Sequence, residues 1–274
     1  MDPRIFENVA KIAANSTPPQ PFVQQPYAFT ELINVNWSTP VRLEDASNPE
    51  SQLWTRTIKT YTDHPGTTNI WYGQMVDTPL IFKLIIDWVS PDDYRAFHES
   101  TASAELPQAW QSSPTPITTD SQQFFTFPMD QRSRLVAFQL PQNRLPDAVT
   151  VFVSAHFSPD WDPDAIEPLD RQPQRERKVV WDNAWMLLRD AALKSEGGYV
   201  SDKAIEGWSV AEMNGQKSHT SVIRFQDFRT ASQFLKSAED STSAHASFDR
   251  LKQFAQGGVV AEVVTMKPLE PMAG

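Results

Sequence analysis

The sequence predicts an α+β protein made of two consecutive βαββααβ units. Three observations carry this. First, residues 71–100 (WYGQMVDTPLIFKLIIDWVSPDDYRAFHES) read as strand, turn, strand and capped helix. Second, a shift of 137 residues lays 208–237 (WSVAEMNGQKSHTSVIRFQDFRTASQFLKS) over that stretch without a gap. Trp71 meets Trp208, Trp88 meets Phe225, Phe97 meets Phe234 and Ser100 meets Ser237. Third, each copy follows a strand and a helix and precedes a helix and a strand. An internal repeat of this length decides the architecture.

Taken in order, residues 1–26 are an N-terminal extension: a short helix over Arg4 to Ala14, then a Pro- and Gln-rich linker from Asn15 to Pro26. The first unit covers 27–128. Phe29 to Trp37 is its first strand, and Pro49 to Thr62 its first helix, with Leu53, Trp54, Ile58 and Tyr61 on one stripe. Asp77-Thr78-Pro79 turns the chain between the two hairpin strands. Leu80 to Val89 is apolar except for Lys83 and Asp87. Ser90-Pro91-Asp92-Asp93 starts a helix, with Ser as the cap, Pro in the first turn and acids facing the helix dipole. A second helix over Ala104 to Gln111 and a strand over Gln123 to Phe127 complete the unit.

Residues 129–147 connect the units, with a short apolar run from Leu135 to Leu140 as an extra edge strand. The second unit covers 148–268. Ala148 to Phe157 is a strand, and Trp37-Ser38 aligns with Phe157-Ser158, which sets Asn36 opposite His156. Arg175 to Leu193 reads as a long helix ended by Glu196-Gly197-Gly198. The hairpin follows, turning at Asn214-Gly215, a strong hairpin signal. A helix over Ala244 to Gln253, the pair Gly257-Gly258 and a strand over Val259 to Met266 finish the chain.

The chain has 274 residues with a net charge of −10 and no cysteine, which excludes disulfides, thiolate nucleophiles and Cys-ligated metal. No basic patch suggests nucleic acid as a partner. No segment has the ~18 apolar residues of a membrane helix, and no apolar leader stands at the N-terminus. A cytoplasmic protein, monomer or homodimer, with a small-molecule ligand and no membrane partner, is the expectation. Dinucleotide, P-loop, nucleophile-elbow and zincin motifs are all absent.

Element order and the Trp88…Ser90…Phe97…Ser100 pattern, with Phe225…Phe234…Ser237 in the second unit, resemble the dimeric α+β barrel (ABM-like) superfamily. The chain looks like a duplicated, single-chain version of a fungal type. The resemblance implies two ferredoxin-like sheets closing an intramolecular, pseudo-dimeric eight-stranded barrel with helices outside. It also implies the activities of that superfamily: cofactor-free polyketide and anthrone monooxygenases, cyclases, dehydratases and heme-degrading oxygenases, beside stress-associated proteins. The heme-degrading members carry an axial His with a Trp ten residues before it. His245 falls one residue out of that register and Phe234 stands near the Trp position, which argues against heme at this place.

Five histidines are the candidates for proton chemistry. Along Val149 to Phe157, period-2 alternation puts Thr150, Phe152, Ser154 and His156 on one face and Val149, Val151, Val153 and Ala155 on the other. The aliphatic face suits helices, so His156 should face the barrel. His219 shares a face with Ser221, Ile223 and Phe225 and is a second cavity candidate. His64 reads as a loop residue and His98 as a surface residue of its helix. Catalytic candidates are therefore His156 with Asn36, then His219. Trp88, Phe225, Phe152, Tyr72, Trp208 and Arg224 are candidates to line a substrate cavity inside the barrel. Asp87 aligns with Arg224, and the two are candidates to approach across the pseudo-twofold. No metal site and no cofactor are expected. The expected function is cofactor-free oxygenation, or cyclisation or isomerisation, of a polyketide-like or aromatic substrate with a His base. The alternative is a non-catalytic ligand-binding or stress-associated barrel.

Overall fold

The computed structural model describes residues 27–43, 45–128, 147–158, 160–161, 166–167, 175–176, 181–187, 205–210, 217–240, 249, 251–253, 255 and 258–267. The expected N-terminal helix and linker, the 135–140 strand, the Glu196-Gly197-Gly198 stop, the Asn214-Gly215 turn and His245 lie outside these residues.

Alternating apolar residues make the first unit's strands: β1 (Tyr27–Trp37), β2 (Thr67–Met75), β3 (Ile81–Trp88) and β4 (Ile117–Pro128). Three capped helices lie among them. Asn48 caps α1 (Pro49–Thr62), Ser90 caps α2 (Pro91–His98) and Ser100 caps α3 (Thr101–Gln111), each side-chain oxygen accepting a backbone N–H three residues on. The second unit supplies β5 (Val149–His156), β8 (Ile205–Ser209), β9 (Ser218–Phe225) and β10 (Val259–Lys267). Its described helical segments are α4 (181–187), α5 (Phe228–Asp240) and residues 249 and 251–253, which fall within the helix expected over Ala244 to Gln253. The long helix expected from Arg175 begins later. Arg175–Glu176 is β7, paired with β6 (Ile166–Glu167) in a two-stranded ribbon.

Eight strands close a barrel in the order β1-β3-β2-β10-β5-β9-β8-β4, every pair antiparallel. Each unit contributes the same internal order, β4-β1-β3-β2 and β10-β5-β9-β8. Four antiparallel steps separate β1 from β5, so the two run the same way round the barrel.

The register corrects part of the sequence alignment. The shift of 137 carries β3 onto β9 and the start of α2 onto that of α5. The preceding strand is displaced. Trp71 pairs with Ile85, and the residue paired with the equivalent Val222 is Ile205, at a shift of 134. The second hairpin connection is thus three residues longer, and Trp208 is not the counterpart of Trp71. Under the shift of 134, Gly73 matches Gly207. Both sit where one unit's sheet meets the other's. A Cβ on Gly73 would stand 2.9 Å from Met266 Sδ and 2.5 Å from Val264 Cγ1, and one on Gly207 2.7 Å from Phe127 Cδ1. The seams close because these positions have no side chain.

Three cores result. Leu32, Trp71, Ile85, Phe125, Phe127, Phe152, Ile205, Val222, Val264 and Met266 pack inside the barrel. The other strand faces pack under the helices, around Trp54, Trp88 and Phe97 in the first unit and around Phe157, Trp181 and Phe234 in the second. No helix of the described residues is long and apolar enough to cross a membrane.

Candidate functional site

The barrel interior, expected to hold substrate, carries a packed apolar layer around Trp71, Phe125, Phe127 and Phe152. Besides the apolar layer it contains Lys83, whose Nζ lies 2.9 Å from Glu262 Oε2 and donates to Asn34 Oδ1 at 3.0 Å. A cleft lies outside the barrel, between the outer face of the first unit's sheet and its helices. It has a volume of about 280 Å³, just under the roughly 300–1,000 Å³ typical of small-molecule sites. Ile33, Tyr61, Leu106, Pro107 and Trp110 form apolar walls, and His98, Ser103, Thr119, Asp120 and Gln122 supply polar groups. Pro107 interrupts the helical bonding of α3, having no N–H for the Ser103 carbonyl, and both residues line the cleft.

Glu31 stands behind this wall. The outward face of β1 runs Phe29, Glu31, Ile33, Val35, Trp37, so a carboxylate falls among apolar residues and is 0% exposed. Such a group needs donors. Trp88 Nε1 donates to its Oε2 at 3.0 Å, and Gln122 Nε2 donates to its Oε1. Gln122 reaches it through a bulge: Leu32 pairs with Gln123 but Asn34 with Asp120, so β4 carries one extra residue here. His98 Nε2 lies 3.7 Å from Glu31 Oε1, with its side chain 33% exposed at the cleft. The His98 ring rests 4.3 Å from that of Tyr94, one turn earlier on α2. Burial, reinforced by the Glu31 charge, pushes the Tyr94 phenol up to about 12 and that of Tyr61 well above its usual value.

The arrangement is confined to one unit. The register matches Glu31 with Val151, and the shift of 137 matches Trp88, Tyr94 and His98 with Phe225, Ala231 and Leu235. Each of these four positions is apolar in the second unit.

The expected site residues fall as follows. His156 and Asn36 occupy equivalent strand ends, paired with Ser218 and Ile81, on the barrel-facing side. Their strands are not neighbours, and no hydrogen bond joins them among the described residues. Burial lowers the pKa of half-buried His156, while Glu262 opposes the shift. Phe152 and Arg224 also face inward; Arg224 donates from Nη1 to Thr150 Oγ1 at 2.7 Å. Asp87 stays with Thr30 and Asn69, at 2.6 and 3.3 Å.

His219 faces the helices instead. It is 3% exposed, edge-on to Trp181, Trp185 and Trp208, because Ile223 and Phe225 on its face pack under α4 and α5. Trp88, Phe225, Tyr72 and Trp208 likewise lie on helix-facing sides rather than in the barrel. His64 is half-buried, its Nδ1 accepting the Gly66 N–H at 3.1 Å and its ring packed on Trp88 and Phe97. Reasoning from histidines missed Glu31. The signal was available: one acid interrupting the apolar alternation of β1.

No family model matches the chain, and no curated protein matches it. Among solved structures, an anthrone oxidase-like protein is similar at a TM-score of 0.54 and 11% identity, over 87% of this chain and 92% of that one. A candidate chlorite dismutase is similar at 0.51 and 10%, over 89% and 96%. A heme-binding protein from Thermus thermophilus aligns at 0.45 and 10%, over 90% and 95%. At these identities the first two likenesses show a fold. The chain has the dimeric α+β barrel fold, closed here within one polypeptide.

Proposed function

We propose that the chain is a small-molecule enzyme of secondary metabolism and that its reaction runs in the first unit's cleft. The observation that carries this is the buried Glu31 carboxylate beside cleft-lining His98, a pair the second unit lacks. The substrate class is polyketide-like or aromatic, with an acidic C–H next to a carbonyl or on a phenol-bearing ring. Aromatic and aliphatic walls suit a flat molecule, and a single acid, Asp120, without lysine or arginine among the described lining residues suits an uncharged one. His98 takes the proton, and Glu31, held by Trp88 and Gln122, stabilises the imidazolium that forms. The carbanion then adds dioxygen, and the hydroperoxide loses water, so that CH₂ plus O₂ gives C=O plus H₂O. With an internal carbonyl in reach, the same carbanion closes a ring instead. The anthrone oxidase-like neighbour bears a name in line with the first route. Two units of common origin, one keeping the polar set, are supported by the shared strand order and the paired seam glycines.

One observation favours a second reading. Trp88 precedes His98 by ten residues, the spacing that heme-degrading members carry. The fit is poor: His98 Nε2 is directed at Glu31, and a porphyrin exceeds a cleft of about 280 Å³.

The test is oxygen uptake and quinone absorbance with a panel of hydroxyanthrones, alongside a hemin titration. Wild-type protein should accelerate oxidation over buffer, His98→Ala should lose a factor of roughly 10²–10⁴, and hemin should give no saturable Soret shift. Anthrone binding without turnover would support a ligand-binding barrel. Equal rates for wild type and His98→Ala would remove His98 as the base.

A further inference from the structure

Arg224 is the penultimate residue of β9 and faces into the barrel opposite Thr150. It is 5% exposed. Thr150 takes the Nη1 hydrogen, while Nε is buried with no acceptor. No carboxylate among the described residues pairs with it. Lys83, a described cation that also faces the barrel, is treated differently: it has both Glu262 and Asn34. Asp87, the residue equivalent to Arg224 in the first unit, is held by Thr30 and Asn69 on its own side.

A guanidinium withdrawn from water without a counter-ion is costly, and burial already draws its pKa down to about 10. The Thr150 bond fixes the plane of the group. That leaves the Nε–Nη2 edge, whose two parallel N–H bonds match the two oxygens of a carboxylate. Val264, on the β10 position paired with Thr150, and Val222, two residues before Arg224 on the same face, are apolar neighbours for a short hydrocarbon tail.

We propose that this end of the barrel binds a small carboxylic acid, held side-on by Arg224. The site is inside the barrel, whereas the proposed reaction cleft is outside it, and neither assignment depends on the other.

The experiment is thermal melting of the full chain at neutral pH and constant ionic strength, with chloride replaced stepwise by acetate, benzoate or phosphate. Wild type should show a saturable rise in Tm with acetate and benzoate and a weaker one with phosphate. Arg224→Met should show none, and in chloride should melt no lower than wild type, because the uncompensated charge is gone. Arg224→Lys keeps the charge but loses the fork, so saturation should need at least about tenfold more acetate; it decides the matter if Arg224→Met does not fold. Identical wild-type melts in acetate and chloride, or an undiminished response in Arg224→Met, would overturn the site. A response to phosphate alone would overturn its assignment to a carboxylate.

Discussion

Replacing Trp88 by Phe leaves Glu31 buried with one of its two donors gone. Trp88 Nε1 donates to Glu31 Oε2 at 3.0 Å, both residues are essentially inaccessible, and the acceptor is a carboxylate. A hydrogen bond to a charged group contributes about 1.5–3 kcal/mol, so Trp88→Phe should cost about 2 kcal/mol beyond the lost ring area. At roughly 2–4 °C per kcal/mol for a chain of this size, Tm should fall by about 4–8 °C. Glu31→Val removes the buried charge but strands the indole N–H, which costs about 1–3 kcal/mol against the relief of desolvation. The double variant leaves neither partner stranded and copies the second unit, where Val151 and Phe225 hold these positions. It should therefore be more stable than the sum of the single changes by at least about 1 kcal/mol. The ring-area term cancels in the cycle. Urea unfolding followed by circular dichroism measures this without relying on tryptophan emission. Additivity within the ~0.3–0.5 kcal/mol expected of independent sites would refute the coupling.

Gly73→Ala and Gly207→Ala should each destabilise by about 1–3 kcal/mol, since the new methyl meets Val264 at one seam and the Phe127 ring at the other; melting curves equal to wild type would show that the seams can relax. Burial holds His156 below its usual 6.5, so the unfolded chain binds more protons between the two values and stability falls as pH drops below about 6.5. His156→Gln should flatten that slope in Tm measured from about pH 7 to pH 5, modestly, because the ring is only half-buried. Tyr94, at about 12, and Tyr61, well above its usual value, should resist ionisation while the fold persists. Raised phenol values also mean that stability declines as pH climbs from about 10 through 12. In a 295 nm titration, Tyr94→Phe should remove late amplitude only; loss of early amplitude instead would place Tyr94 in water.

The fold was legible because its signals are local. Ser90 caps its helix as the sequence suggests, and strict alternation in Val149 to His156 gave the correct inner face, whereas the next helix starts at Thr101, three residues before the expected Ala104. β9 was harder. Its residues are buried on both faces, so alternation could not say which side was the barrel, and His219 was placed inside. The register of β8 depended on a hairpin connection three residues longer than its counterpart, and a tryptophan on each hairpin strand concealed the slip. Gln122 depends on a bulge, which sequence alternation cannot mark.

The location of the cleft follows from how the two faces of each sheet are used. Inside the barrel, opposing strands deliver side chains from both units to a shared axis, and Trp71, Phe125, Phe127 and Phe152 pack together there. Outside, each unit packs its own helices on its own sheet, so the two helix-side layers vary independently. In the second unit, among the described residues, Trp181, Trp185 and Trp208 pack around His219 in that layer, and Trp161 stacks on Trp208. In the first unit, Pro107 in α3 and the β4 bulge coincide with a gap in the same layer, with His98 at it and Glu31 buried behind. A barrel that needs both units to close, but only one open helix layer to hold a ligand, can carry its chemistry in one unit while the other contributes half of the wall.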